Sequence, residues 1–155
     1  MGLTSEDLAA RTGQQVGVSR WFPIDQAQID AFADLCEDHQ FIHVSPDEAA
    51  RTPFGGTIAH GFLTLSLLSA MAYDALSPLA GETLSVNYGF NKIRFLAPVR
   101  PGTRVRGRFG VREVDERKPG EVTVTWDVTV EIEGEEKPAL VAEWISRRYL
   151  DEMAQ

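Results

Sequence analysis

Hydrophobic and polar positions change their period once along the chain, from a helical to an alternating pattern near residue 82. Before that point, the stretch from Gly61 to Leu76 is apolar or small on every side, which is typical of a helix buried on all its faces. Asp74 and two serines interrupt this stretch, and it is too short to cross a membrane. The pattern therefore predicts one central helix that the rest of the chain surrounds.

Shorter helices are expected before the central helix, because capping residues precede apolar positions at helical spacing. Their predicted ranges are 4–11 with Thr4 as N-cap, 25–37 with Asp25 and Gln28 as a capping box, and 45–51 with Ser45 as N-cap. A strand over residues 14–22 is expected between the first two helices. The sequence thus places its small helices ahead of the central one.

After residue 82, apolar and polar residues alternate in runs separated by turn residues, which is typical of antiparallel strands with one buried face. The predicted strands are 84–96 with a bulge at Gly89, 103–113, 121–133 and 139–150. Long neighbouring strands and one buried helix predict an α+β protein, with a curved antiparallel sheet around the helix. This is the hotdog arrangement, and we expect one domain over residues 1–155.

Composition limits the classes of function. The chain has 43% hydrophobic and 25% charged residues, as an ordinary globular protein has. A net charge of -8 argues against nucleic acid as the main partner. The N-terminal residues lack a secretory pattern, so we expect a cytoplasmic protein without membrane insertion. Cys36 is the one cysteine and follows an apolar helical pattern, so it is predicted to be a buried structural thiol.

All three histidines, His39, His43 and His60, fall within 22 residues of one another, and Asp38 lies in the same window. A carboxylate and an imidazole that face one water form an acid/base pair, and Asp38 and His43 can do so from a loop between two helices. The alternative is that Asp38 caps a helix and His43 is a hydrogen-bonded core residue. The spacing of the histidines matches no compact zinc pattern, so no metal site is expected.

Two further groups of residues have open interpretations. The hydroxyls of Ser66 and Ser69 either bond back to the preceding turn of the central helix or belong to a functional site. We favour the first interpretation for Ser66 and neither for Ser69. Residues 92–118 hold nine of the fifteen basic residues and three acids. They form either a solvated strand face, paired across to Asp127 and Glu131, or a contact surface for a phosphorylated ligand.

The segments EDHQFIHVSPDEAA and PFGGTIAHGFLTLSLLSAM together resemble the MaoC-like dehydratases, the (R)-specific enoyl-CoA hydratase group. In that family an Asp precedes a His by five residues, and a His-Gly pair opens the central helix about 17 residues later. Asp38, His43 and Gly61 match these positions, and Ser69 matches a serine near the site in some members. The family's Asn-Pro is Gln40-Phe41 here, which is closer to a sub-branch associated with nodulation protein N.

The resemblance implies reversible hydration of an enoyl-CoA or enoyl acyl carrier protein to a (3R)-3-hydroxyacyl thioester. Asp38 and His43 would act on one water, and the Gly61 amide would hold the thioester carbonyl. It implies no cofactor. A hotdog chain of this length exposes a sheet edge, so a homodimer is expected. Lys92 and Arg94 follow the central helix most closely among the basic residues, and we expect them to contact the substrate phosphates.

Two alternative functions remain open. A thioesterase can use the same fold. The Asp38 and His43 pair favours hydration, because hotdog thioesterases usually carry a carboxylate in the central helix and Asp74 comes too late in it. A non-catalytic protein that binds acyl thioesters is the second alternative, and the likeness to the nodulation branch suggests it.

Overall fold

The computed structural model describes residues 2–151, and all of its helices precede the long strands. The helices are α1 (Ser5–Ala9), α2 (Gln26–Cys36), α3 (Phe41–Val44), α4 (Pro46–Ala49), α5 (Gly61–Ser66) and α6 (Leu68–Ala75). The strands are β1 (Gln15–Val18), β2 (Phe22–Ile24), β3 (Glu82–Phe95), β4 (Thr103–Lys118), β5 (Glu121–Ile132) and β6 (Leu140–Leu150). The order confirms the predicted change from helices to strands.

One antiparallel sheet contains all of the named strands. Its order is β1-β4-β5-β6-β3, and β2 also pairs with β4. Strand β3 pairs with β6 alone among the described residues, so it forms an open edge. The inward residues of β5 are buried, as their alternation predicts: Val122, Val124, Trp126, Val128, Val130 and Ile132. The prediction of an α+β protein with one antiparallel sheet is thus confirmed.

Helix α6 packs its buried Leu68 and Met71 on the inner face of the sheet. Gly107 of β4 allows this close approach, because a Cβ there would lie 3.2 Å from the Met71 Cβ and 2.9 Å from the Phe109 ring. A larger residue at position 107 would push the helix off the sheet. The absence of a side chain on one strand therefore fixes how closely the central helix sits.

The central helix differs from the prediction in two respects. It is divided at Leu67 into α5 and α6, and it is not buried on all faces. Phe62 is 68% exposed and Tyr73 is 81% exposed. The physical reason is that the sheet covers one side of the helix, whereas no part of residues 2–151 covers Phe62 and Tyr73 on the other. The Ser66 hydroxyl donates to the Leu63 carbonyl at 2.7 Å, as expected.

Several local expectations are confirmed. Thr4 and Asp25 cap their helices, each within a capping box. The pairing of β3 with β6 shifts register between Asn87 and Gly89, as the predicted bulge requires. In contrast, Ser45 makes no side-chain cap, because its hydroxyl donates to the Glu48 carboxylate at 3.2 Å.

Other expectations need correction. The predicted strand over 14–22 is two short strands, β1 and β2, which pair with different parts of β4. Strand β4 continues to Lys118 instead of ending near residue 113. Cys36 is exposed, not buried. It lies in the last turn of α2, beyond the buried Ala33, where the apolar face of the helix no longer meets the core.

No helix within residues 2–151 has the length and apolar content needed to cross a membrane.

Candidate active site

Asp38 lies just after α2, where the chain reverses direction. Glu37 ends the helix with a φ of 60°, the left-handed region that few residues other than glycine adopt. The Asp38 carboxylate then accepts a hydrogen bond from the Gln40 amide at 3.3 Å, and its side chain remains exposed. The loop therefore presents a carboxylate that does not serve as a helix cap, contrary to the alternative interpretation.

His43 lies in α3 and is buried, with 7% of its surface exposed. Its Nδ1 is 2.7 Å from the Ile58 carbonyl oxygen. A carbonyl can only accept, so Nδ1 carries the proton and Nε2 carries the lone pair in the neutral ring. Burial lowers the pKa of His43, and nearby His60 lowers it further, although Ile58 and Asp38 oppose the shift. The imidazole is therefore neutral at pH 7 and able to accept a proton.

His60 also lies in this site, although it was not among the residues predicted for it. It precedes α5 as the N-cap residue, and its Nε2 donates to the Asp38 carbonyl at 2.9 Å. Its ring stacks on that of His43, with 3.8 Å between centroids and 23° between planes. The signal that could have identified it is the clustering of the three histidines. His60 thus ties the Asp38 loop to the start of the central helix.

Gln26 is a second residue that the sequence did not reveal. Its Nε2 donates to the His43 carbonyl at 2.7 Å, and its Oε1 accepts from the Thr57 hydroxyl at 2.6 Å. One side chain at the start of α2 thereby holds both α3 and the segment that leads to α5. No local pattern in the sequence marks a glutamine for this task, because both of its partners are distant along the chain.

The fold brings Asp38, His43 and His60 together. One carboxylate oxygen and one ring nitrogen from each histidine lie within 4.8 Å of one another. A water that donates hydrogen bonds of about 2.8 Å to two acceptors holds them about 4.4 Å apart. The cluster is therefore of the size that one bridging water needs. Asp38 and His43, predicted as an acid/base pair, both belong to this cluster.

Gly61 lies at the first position of α5, directly after His60. A Cβ at this position would come within 3.0 Å of the Phe95 ring. The residue lines a cavity of about 290 Å³ with mainly apolar walls, which include Phe54, Phe95, Leu96, Pro98 and Val99. The first amides of a helix have no partner within it. Gly61 therefore offers a backbone donor beside an apolar cavity and next to the histidine pair.

Ser69 lies in α6, about 12 Å further along the helical run than Gly61 at 1.5 Å per residue. Its hydroxyl accepts from the Asn87 side-chain amide at 3.3 Å. It lines a different cavity, of about 240 Å³, together with Asn87, Trp126, Trp144 and Arg148. A neighbouring cavity shares Ser69, Asn87 and Trp144 with it and extends toward Phe62. Ser69 is thus placed along the helix from the Asp38 cluster.

Lys92 and Arg94 are exposed on the edge strand β3. Arg94 donates to the carbonyl of its neighbour Ile93, and neither residue has an acidic partner among the described residues. The arginines of β4 behave differently. Arg106 and Arg108 both contact Glu131, and Arg112 contacts Asp127. These β4 arginines therefore form a solvated strand face that is paired with acids, as in the first of the two interpretations of residues 92–118.

The chain is similar to proteins of a known family over most of its length. The MaoC like domain family matches residues 7–132. The chain is 52% identical to nodulation protein N of Rhizobium leguminosarum bv. viciae over 93% of this chain and 90% of that protein. It is 49% identical to 3-hydroxyacyl-thioester dehydratase Z of Mycobacterium tuberculosis over 91% of this chain and 93% of that protein.

A solved structure described as an (R)-hydratase of A. caviae involved in PHA biosynthesis has the same fold. It superposes with a TM-score of 0.66 at 30% identity, over 87% of this chain and 94% of that one. The hotdog arrangement expected from the alternating strands is therefore shared with an enzyme that has a known structure.

Proposed function

This chain belongs to the MaoC-like dehydratase domain family and is a hydro-lyase, and we propose that it reversibly hydrates trans-2-enoyl thioesters to (3R)-3-hydroxyacyl thioesters. The observation that carries the proposal is the pair formed by Asp38 and His43. A carboxylate and a neutral imidazole lie at the separation that one water bridges. They adjoin Gly61, the first residue of α5, which lines an apolar cavity.

The reaction follows from these positions. The water donates one hydrogen bond to the Asp38 carboxylate and one to His43 Nε2. Its oxygen bonds to the β-carbon while the carbon–carbon π bond breaks and His43 takes the proton. The electron pair moves toward the thioester oxygen, and the Gly61 amide stabilises the resulting enolate. Asp38 and His43 then deliver a proton to the α-carbon. The net result is the addition of one water across the double bond.

We propose that the acyl chain extends from Gly61 along the central helix. The cavities beside Phe62 and Ser69 continue in that direction and have Trp144 as a common wall. Ser69 and Asn87 would then contact the chain beyond the reacting carbons. Lys92 and Arg94 would meet the phosphates of a CoA or the phosphopantetheine of a carrier protein at the surface. We also propose that the protein acts in the cytoplasm and that the reaction uses no cofactor.

The functional unit that we propose is a homodimer. The edge strand β3 exposes apolar side chains, and the uncovered side of the central helix adds Phe62 and Tyr73. The exposed large apolar residues of β3 are Leu84, Val86, Tyr88, Phe90 and Phe95. A second copy that pairs with this edge would continue the sheet and cover both surfaces.

Crotonyl-CoA provides the test of the proposed reaction. Loss of the enoyl absorbance, with 3-hydroxybutyryl-CoA as the product, would support hydration. Release of free CoA thiol would instead support the thioesterase. Binding without turnover would support the non-catalytic alternative. Asp74 does not favour a thioesterase, because its carboxylate accepts from the Arg20 amide at 2.5 Å.

A further inference from the structure

The cluster of Asp38, His43 and His60 contains the donor set of a metal site. Two imidazoles and one carboxylate each bring a ligand atom within 4.8 Å of the others. Along the sequence, the histidine spacing gave no reason to expect this. His60 comes 17 residues after His43, but the fold stacks the two rings at 3.8 Å. The objection from linear spacing therefore does not hold in three dimensions.

The hydrogen bonds of the two imidazoles indicate which ring nitrogen of each is available to a metal ion. His43 donates through Nδ1 to the Ile58 carbonyl, and His60 donates through Nε2 to the Asp38 carbonyl. Each ring thus keeps its other nitrogen as a lone pair. Metal-binding histidines in proteins are usually fixed in this manner, with the second ring nitrogen donating to a carbonyl or carboxylate.

The second ring nitrogen of His60 is fully buried. His60 is 2% exposed, and its Nδ1 has no hydrogen-bond partner within residues 2–151. Buried polar atoms in native proteins are nearly always satisfied, so an unpartnered one calls for an explanation. The atom belongs to a ring in contact with His43 and bonded to Asp38. Its lone pair therefore suits a cation held by the same three residues.

We propose that Asp38, His43 and His60 bind one divalent transition-metal ion, of which Zn²⁺ is the best match to two nitrogens and one oxygen. The ligands are a carboxylate oxygen of Asp38, Nε2 of His43 and Nδ1 of His60. Two ligand atoms on one Zn²⁺ lie at most about 4.2 Å apart, since each bond is about 2.0–2.1 Å. Binding therefore draws the cluster inward, through the exposed Asp38 side chain and a tilt of the His60 ring.

The consequence of binding is inhibition. The ion would take up the His43 lone pair and the Asp38 carboxylate, which are the two acceptors that the substrate water needs. This consequence depends on the proposed function, whereas metal binding itself does not. The metal ion would therefore compete with the substrate water for the same residues. A chelator would remove the ion and restore hydration.

Titration calorimetry of a tag-free protein with Zn²⁺ provides the test. The Cys36→Ser variant is the background, because an exposed thiol is itself a zinc ligand. We expect one ion per chain. Asp38→Asn and His60→Ala should each weaken binding by about tenfold or more, as the loss of a ligand does. The matched control is His39→Ala, since His39 lies in the same loop, is exposed and contacts Asp34.

The outcomes separate the two proposals. Unchanged affinity in both ligand variants, or loss of binding in His39→Ala, would overturn the metal site. Asp38→Asn keeps this test valid if His60→Ala does not fold, because the Asp38 side chain is exposed. Zinc binding in a protein that does not hydrate crotonyl-CoA would leave the site intact and overturn the proposed reaction. Hydration of crotonyl-CoA by a protein that does not bind zinc would support the proposed reaction and overturn the metal site.

Discussion

At the scale of single residues, two backbone carbonyls decide the chemistry of the site. The Ile58 carbonyl fixes which nitrogen of His43 is protonated, and the Asp38 carbonyl does the same for His60. Gln26 then holds the α3 backbone in place through the His43 carbonyl. The His43 imidazole is thus held through both its ring and its main chain.

Replacing either member of the acid/base pair should abolish most of the activity. We expect Asp38→Asn and His43→Gln each to lower kcat/KM for crotonyl-CoA by about 10²-fold or more, because each variant removes a proton acceptor for the water. His39→Gln is the control and should keep the wild-type rate. Thermal unfolding of all three variants checks that the fold is intact. Near wild-type rates in both pair variants would refute the assignment.

The pH dependence of the rate reports on His43. Burial lowers its pKa below the ordinary value of 6.5, so the base stays neutral until the solution is more acidic than that. The acid limb of kcat/KM should therefore lie below pH 6.5. The unfolded chain binds this proton more readily than the folded chain, so the free energy of unfolding should also fall as the pH drops below 6.5.

Rate profiles and urea unfolding at matched pH values measure both effects. In His43→Gln, the part of the stability loss due to this residue should disappear. An acid limb centred above pH 6.5 in the wild type would contradict the lowered pKa.

The sequence indicated Asp38 and His43 as a pair through the family resemblance and their separation of five residues, and the structure places both in one cluster; their catalytic role stays a prediction. The clustering of the histidines pointed to His60 but not to its contacts, and no local pattern pointed to Gln26, since these contacts join segments 17 to 31 residues apart. Cys36 shows the opposite error. An apolar pattern along a helix indicates a face, but it does not show where that helix leaves the core.

At the scale of elements, the start of α5 and the end of β3 determine the site together. Gly61 sits against the Phe95 ring, and a Cβ would come within 3.0 Å of it. The alternating strands were predictable because period two is a local property. The break at Leu67 and the uncovered face of the helix were not, because they depend on how far the sheet extends around it.

Gly61→Ala tests this junction. Phe95 is 49% exposed and can move aside, so the free energy of unfolding should change by less than about 1.5 kcal/mol. The rate should fall more, by about tenfold, because the backbone donor and the cavity wall shift together. Gly56→Ala is the matched control, since the nearest atom to its Cβ would be Arg100 Nη1 at 4.0 Å.

Adding Phe95→Leu to Gly61→Ala relieves the contact. The double variant should therefore recover part of the rate, measured as kcat/KM for crotonyl-CoA. A Gly61→Ala enzyme with the wild-type rate would show that the junction does not position the carbonyl.

At the scale of the whole molecule, charge opposes substrate encounter. A thioester of CoA brings phosphates toward a chain of net charge -8. The β4 arginines already contact acids, whereas Lys92 and Arg94 have no acidic partner among residues 2–151. We expect Lys92→Gln with Arg94→Gln to raise KM several-fold with little change in kcat, because phosphate contacts are alike in ground and transition states.

The matched control for this pair is Arg104→Gln with Arg117→Gln, which removes two arginines that pair with Glu133 and Asp115. Its KM should remain near that of the wild type. Salt should raise the wild-type KM, since exposed charges are screened beyond about 8–10 Å. A KM insensitive to both salt and the first double variant would leave Lys92 and Arg94 as solvated surface residues.

Exposed apolar surface at one edge of the molecule predicts its assembly. Strand β3 combines unpaired backbone groups with exposed Leu84 and Val86, a combination that natural sheets avoid at a free edge. We therefore expect a dimer in light scattering coupled to gel filtration at micromolar concentration.

Leu84→Lys with Val86→Lys should shift the measured mass toward that of one chain, because like charges would meet across the interface. Glu135→Lys should remain a dimer, because Glu135 is exposed just before the start of β6, whereas Leu84 and Val86 pair with the far end of that strand. If the apolar helix face also needs the partner, the monomeric variant should unfold at a lower temperature and lose activity. A stable, fully active monomer of the wild type would contradict this assembly.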